Sequence, residues 1–122
     1  MPGLTVSESQ AALDNRFPTS GATDHIAYSV NGTSEFAGLA RTPVGATGWA
    51  PATAADPSVK ANSGTLTSAA ASSAGTVSHY CLYTALSAGT QRTDWQALGT
   101  AKALGIGDKV EWAPGTCQVT LT

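Results

Sequence analysis

The stretch GTVSHYCLYTA (75–85) sets His79, Tyr80, Cys81 and Tyr83 within five consecutive positions. These residue types can do chemistry. A His-x-Cys pair offers two ligands to a zinc ion, with a third to come from His25, Asp24 or Cys117, all remote in sequence. The same pair makes a nucleophile and a base if the imidazole reaches the thiol and a third group orients it. No spacing motif accompanies either reading. In a strand, residues i and i+2 share a face, so Val77, His79, Cys81 and Tyr83 lie on one side and Ser78, Tyr80, Leu82 and Thr84 on the other. Same-face neighbours on a flat strand stand too far apart for a catalytic hydrogen bond. The sequence around Cys81 also shows no helix N-terminus or cation to lower its pKa. The expectation is a central strand, with Cys81 acting as a small hydrophobe.

Other catalytic arrangements fare no better. No serine sits in G-x-S-x-G. Nothing in the sequence pairs the eight acids: Asp94 and Asp108 fall near turns, and Glu111 falls on an exposed face. Asn31-Gly32-Thr33 matches a glycosylation sequon, but Asn-Gly is first of all a turn dipeptide. The sequence therefore points to a protein that is not an enzyme and needs no cofactor or metal. Cys81 and Cys117 are too few for a disulfide scaffold, and thiols are the default, although a bridge between neighbouring strands stays open.

The elements that would position these residues are mostly strands. An N-terminal arm (1–23) carries a short helix over 5–17, with Thr5 and Glu8 spaced as a capping box and Pro18 as its stop. About three turns of helix are marginal alone, so the arm must dock on its own chain or on a neighbour. A β domain (24–122) follows. Asn31-Gly32 between 24–30 and 33–40 predicts a hairpin, with Ile26, Tyr28 and Val30 on one face and Phe36 in the core. The segment 42–64, with its prolines, reads as a long irregular connection holding one short strand around Trp49. Further strands are expected at 64–68, 76–85, 92–98, 102–112 and 115–122, with Gly/Pro turns between them. Val110, Trp112, Cys117, Val119 and Leu121 alternate with polar residues, as on a sheet with one wet face. The fold class expected is mainly β: an antiparallel β-sandwich of Ig-like or jelly-roll type with a short N-terminal helix.

Charged residues make up only 11% of the chain, and the net charge is −2. No basic run exists, which argues against nucleic-acid binding. No window has the length of a transmembrane span, and MPGLTVSESQ does not read as a signal peptide, so synthesis in a cytoplasm without membrane association is expected. A surface so poor in charge is weakly protected against association and suits a homo-oligomer or a larger assembly. The residues that suit an interface are Leu4, Leu13 and Phe17 in the arm, with Trp49 and Trp95 as aromatic anchors; the two tryptophans serve equally well as plugs at the ends of a sandwich.

From Ile26 onward, and most strongly from Gly75, the order of markers becomes specific. It comprises Gly-Thr-Val-Ser-His (75–79), Leu82-Tyr83, Ala97-Leu98, Lys102, Gly107-Asp108, Val110 with Trp112, Ala113-x-Gly115 and a closing x-Val-Thr-Leu (118–121). In these the chain resembles small virion proteins of tailed bacteriophages, described as head decoration, minor tail or tail-fibre proteins. The resemblance implies a non-enzymatic structural protein on the virion surface. Its partners would be the major capsid protein or tail proteins of the same particle, with a host-surface glycan as a further ligand on the tail-side alternative. The family's markers are turn and strand signals, and they carry no catalytic residues to this chain.

Overall fold

The structure, a computed structural model, describes residues 5–17, 23–45, 48–54 and 58–121. One helix, α1 (Val6–Arg16), precedes eight strands: β1 (His25–Ser29), β2 (Thr42–Pro43), β3 (Ser58–Ala61), β4 (Leu66–Thr67), β5 (Gly75–Tyr83), β6 (Gln96–Leu104), β7 (Glu111–Trp112) and β8 (Gln118–Leu121). The chain is mainly β, its ladders are antiparallel where the register is defined, and the sheets do not close. Its contacts gather it into two compact units: 1–22 with 44–65 and 112–122, and 23–43 with 66–111. Helix α1 is thus grouped with strands of the first unit rather than standing apart as an arm.

In the first unit, Thr5 caps α1 as its sequence suggests, its Oγ1 accepting the Glu8 N–H at 3.2 Å. The helix packs on β3. Leu13 and Phe17, four apart on one face, are both buried, and Phe17 meets Trp49 edge-on with 5.6 Å between centroids. Strand β3 pairs with β8 from Ser58↔Leu121 to Ala61↔Gln118, and Trp49 bridges Asn62 just beyond. The side chain of buried Asn62 extends this frame: its Nδ2 donates to the carbonyls of Gly64 and Ala113, and its Oδ1 accepts the Cys117 N–H. Strand β3 replaces part of the long loop expected at 42–64. Its sequence, SVKA, places a lysine at an inward position, which erases the apolar alternation that marks a half-buried strand.

The second unit is built on the sheet β2-β1-β5-β6. Strand β1 pairs with β5 over five residues, from His25↔Tyr83 to Ser29↔His79, so β5 is the central strand its sequence suggests. The hairpin expected at Asn31-Gly32 does not form. Gly32 does take a positive φ of 77°, but Asn31 Oδ1 accepts the N–H groups of Thr33 and Ser34 at 2.9 and 3.0 Å and winds the chain into a local turn. Only the Phe36 N–H returns to the Tyr28 carbonyl, and Val30 is left exposed. The Phe36 ring lies over two glycines. A Cβ would stand 2.3 Å from its Cζ at Gly38 and 2.9 Å from it at Gly75, so a larger residue at either position displaces the ring.

Two strands expected at 92–98 and 102–112 are instead one long strand, β6, followed by the two-residue β7, which pairs with β4. The ladder between β5 and β6 slips in the middle: Val77 pairs Lys102 and His79 pairs Ala97, so 98–101 stand opposite Ser78 alone. The break in the sequence reading, at 99–101, falls within those four residues. Ile26, Ala27, Tyr28, Val77, Cys81 and Leu82 form the unit's core, and the buried Tyr28 hydroxyl meets Thr42 Oγ1 at 2.5 Å.

Candidate functional site

The His79–Cys81 stretch is held as a structural strand. Ser78 Oγ and His79 Nδ1 are 2.7 Å apart, and the imidazole lies against Gly32, where a Cβ would come within 2.9 Å of Nε2. Cys81 is fully buried, opposite Ala27 on β1. Burial pushes its thiol up to about 12, and Glu35 adds to the rise. The fold does bring a cation near, Arg41, which the neighbouring sequence gave no hint of; its opposing effect is the smaller one. The thiol stays protonated at neutral pH and is no nucleophile. Of the residues that could complete a zinc set, Asp24 is bound to Arg92 and His25 Nδ1 meets the Thr23 carbonyl at 2.8 Å. Among the described residues no three His, Cys, Asp or Glu gather as a metal site. Cys81 and Cys117 are buried thiols, not a disulfide.

Among the described residues three acids form ion pairs with cations. Asp14 of α1 meets Lys60 of β3, Glu35 meets Arg41, and Asp24 meets Arg92. Lys60 is 0% exposed, while Asp14 is 40% exposed, so the pair sits at the rim of the helix contact. The hydrogen bond from Lys60, then one from the Ala52 N–H, holds the Asp14 carboxyl below its usual range. Arg41 is gripped more fully. Its Nε and Nη2 donate to the two oxygens of Glu35 at 2.9 and 2.8 Å, its Nη1 donates to the carbonyls of Ala85 and Ala88, and its guanidinium lies 3.8 Å over the Tyr83 ring. The Glu35 bond raises the Arg41 pKa further. The partners in each pair are 6, 46 and 68 residues apart, too far for any spacing rule to foresee most of them.

The interface residues fare differently from one another. Leu13 and Phe17 are buried, and Trp49, at 0% exposure, is sealed in the same unit. Of the three, none is an open anchor on this chain, and Trp49 cannot stack a sugar without rearrangement. Leu4 lies outside the described residues. Trp95 is half-buried just before β6. Among the described residues the large apolar side chains left open are Val6, Val30, Leu86 and Ile106, the last two the most exposed, at 59% and 77%.

Strand β6, QALGTAKAL, leaves one backbone edge open. It is the terminal strand of its sheet, and every residue from Gln96 to Ala103 is exposed except half-buried Leu98. Its side chains are small, and Lys102 is its single charge. An exposed sheet edge of this kind presents unpaired N–H and C=O groups to any incoming strand. No helix among the described residues is long and apolar enough to cross a membrane. No protein-family model matches the chain, and no curated protein is significantly similar to it.

Proposed function

We propose that this chain is a non-enzymatic structural protein of a bacteriophage particle, a decoration protein on the virion surface that binds the major capsid shell. In this reading the antiparallel sheets pack as an Ig-like or jelly-roll sandwich. The order of turn and strand markers from Gly75 to the end supports the resemblance. The observation that carries the reading is the disposal of charge. Three of the six Lys and Arg are drawn into pairs with Asp14, Glu35 and Asp24, which leaves a charge-poor exterior suited to contact with other subunits.

The test adds the purified chain to particles that lack it and counts bound copies on quantitative gels, with head and tail fractions separated. Many copies on heads support decoration. A few copies on tails favour the minor tail or tail-fibre alternative, and binding to neither overturns both. The tail-side reading with a carbohydrate role would have to rest on Trp95, since Trp49 is buried. Glycan binding lost in Trp95→Ala would favour it over decoration.

A further inference from the structure

At Asn31-Gly32 a single buried hydroxyl joins a backbone nitrogen to the neighbouring side-chain amide that it can attack. The Gly32 N–H donates to Ser29 Oγ at 2.8 Å, and Ser29 Oγ donates to Asn31 Oδ1 at 3.0 Å. Asn31 Oδ1 takes three further donors: the Thr33 N–H at 2.9 Å, the Thr33 hydroxyl at 3.0 Å and the Ser34 N–H at 3.0 Å. A carbonyl oxygen has two lone pairs, so four donors exceed what a turn needs and suit an oxygen that gains charge. Position 32 is restricted to glycine twice over, by its φ of 77° and by the His79 imidazole, which a Cβ would approach to 2.9 Å. Glycine also leaves the attacking nitrogen unhindered. Ser29 is 0% exposed, whereas Asn31 is open to the water that a later step consumes.

We infer that Asn31 is a self-modifying site, at which Ser29 relays a proton so that the Gly32 nitrogen closes on Asn31 Cγ and ammonia is expelled. The Gly32 nitrogen and the Asn31 carbonyl carbon, Cα, Cβ and Cγ make a five-membered ring. As the N–Cγ bond forms, the Gly32 amide proton passes to Ser29 Oγ and the Ser29 hydroxyl proton passes to Oδ1. The tetrahedral carbon then carries a hydroxyl, an amino group and the ring nitrogen, with no net charge. The Cγ–Nδ2 bond breaks, the hydroxyl proton leaves with Nδ2 as ammonia, and a cyclic imide remains. Ser34 Oγ, which accepts from Nδ2 at 3.3 Å, lies beside the leaving group. Water adds to either imide carbonyl and opens the ring to aspartate or isoaspartate, so one water enters for each ammonia lost. The serine is regenerated, and the relay is general acid–base catalysis between groups already hydrogen-bonded. The product adds one negative charge to a chain that carries few. This inference does not rest on the virion reading.

The experiment incubates the full chain, native and denaturant-unfolded, at one temperature and pH, and follows Asn31 by intact mass and peptide mapping. The native wild type should lose ammonia and then gain water at Asn31. Ser29→Ala should slow the native reaction about a hundredfold, the low end of the acid–base range, and Ser29→Thr, which keeps the hydroxyl, should restore most of it. Unfolded, all three should react at one rate. Thr33→Val removes one of the four donors to Oδ1 without touching the relay and should slow the native reaction about tenfold. Thermal melts check that each variant is folded, and Thr33→Val decides the matter if Ser29→Ala is not. The sign of the Ser29→Ala effect separates a relay from a turn clamp. If Ser29 only holds the turn closed, Ser29→Ala loosens it and native modification speeds up, which overturns the inference. A native wild type that stays unmodified while the unfolded chain reacts overturns it as well, and so does an unchanged rate in Thr33→Val.

Discussion

Lys60 in the first unit and Arg41 in the second are both cations withdrawn from water, and they are held in opposite ways. Lys60 is a point charge on a strand, covered by a helix that supplies its carboxylate partner, Asp14. Arg41 is a planar group met by two carboxylate oxygens and two carbonyls from loops and by the aromatic face of Tyr83 at the end of β5, all in its own unit. The difference follows from the side chains. A guanidinium offers five donors in a fixed fork and tolerates weak hydration, while an ammonium is compact and strongly hydrated. The first unit therefore meets its buried cation with a single carboxylate partner, and the second spreads the same task over several groups. The cost of failure is correspondingly concentrated in the first.

The sharpest way to break the comparison is to remove Asp14. Asp14→Ala leaves Lys60 buried without its carboxylate and should cost about 3 kcal/mol in denaturant unfolding. The partial exposure of Asp14 puts this at the low end of the range for breaking a buried pair. Lys60→Met should be near neutral, because it removes the charge that needs the partner, and the double variant should behave like Lys60→Met. Equal losses for Asp14→Ala and Lys60→Met would mean that the helix is held by packing alone. The pH dependence has a definite sign. The Asp14 carboxyl is depressed in the folded state, so its contribution is present above the usual carboxylate pKa of about 3.9 and is lost as pH falls through the lower folded value. Acid should therefore undock α1, reported by the emission of Trp49, and Asp14→Ala should abolish that component.

Next in size is Arg41→Lys. An ammonium cannot reach both Glu35 oxygens and both loop carbonyls, so two acceptors lose their charged donor. A loss of about 2 kcal/mol is expected, with faster amide exchange confined to 84–90. The substitution tests whether the second unit really spreads its load. A loss as large as that of Asp14→Ala, with exchange rising across the whole sheet, would say that it does not.

These pairs also mark where sequence reading stops. The helix was legible because capping is local: Thr5 and Glu8 are three apart and the stop follows at once. Strand β5 was legible because its apolar residues run together between turn signals. The Asn31 hairpin misled, because the same dipeptide serves a side-chain-capped turn, and the edge of β1 away from β5 is taken by β2 instead. Strand β3 was hidden by Lys60, whose inward position makes sense only once Asp14 lies beside it in space. Leu13, Phe17 and Trp49 stood out as apolar residues suited to an interface, but their packing within a single unit is a tertiary fact that the sequence does not carry. Strand β6 stayed hidden for a related reason. Small residues give no periodicity, and 99–101, within the excursion, looked like a gap between two strands.

The cysteines give a smaller effect of alkaline sign. The Cys81 thiol is raised in the folded state, so its contribution is intact below the unfolded thiol pKa of about 8.5. It is lost as pH rises from there toward about 12. The midpoint of denaturant unfolding should fall gradually above that lower limit, and Cys81→Ala should flatten the decline. A thiol reagent at pH 8 should label the native protein slowly and the unfolded protein at once. Rapid native labelling would contradict the burial of both thiols.

The smallest expected effect compares two local caps, one in each unit. Thr5 satisfies one N–H at the start of α1, while Asn31 Oδ1 accepts two from the turn after β1. Thr5→Ala should cost about 1 kcal/mol, and Thr5→Ser should cost almost nothing, since the hydroxyl is kept. If α1 is held chiefly through Asp14 and Lys60, the Thr5→Ala loss should shrink in the Lys60→Met background, where docking no longer depends on that charge, and stay unchanged beside Arg41→Lys. Coupling between Thr5 and Lys60 with none between Thr5 and Arg41 is what separate compact units require. Equal coupling to both would dissolve the division between them and spread the cost of any single break across the whole chain.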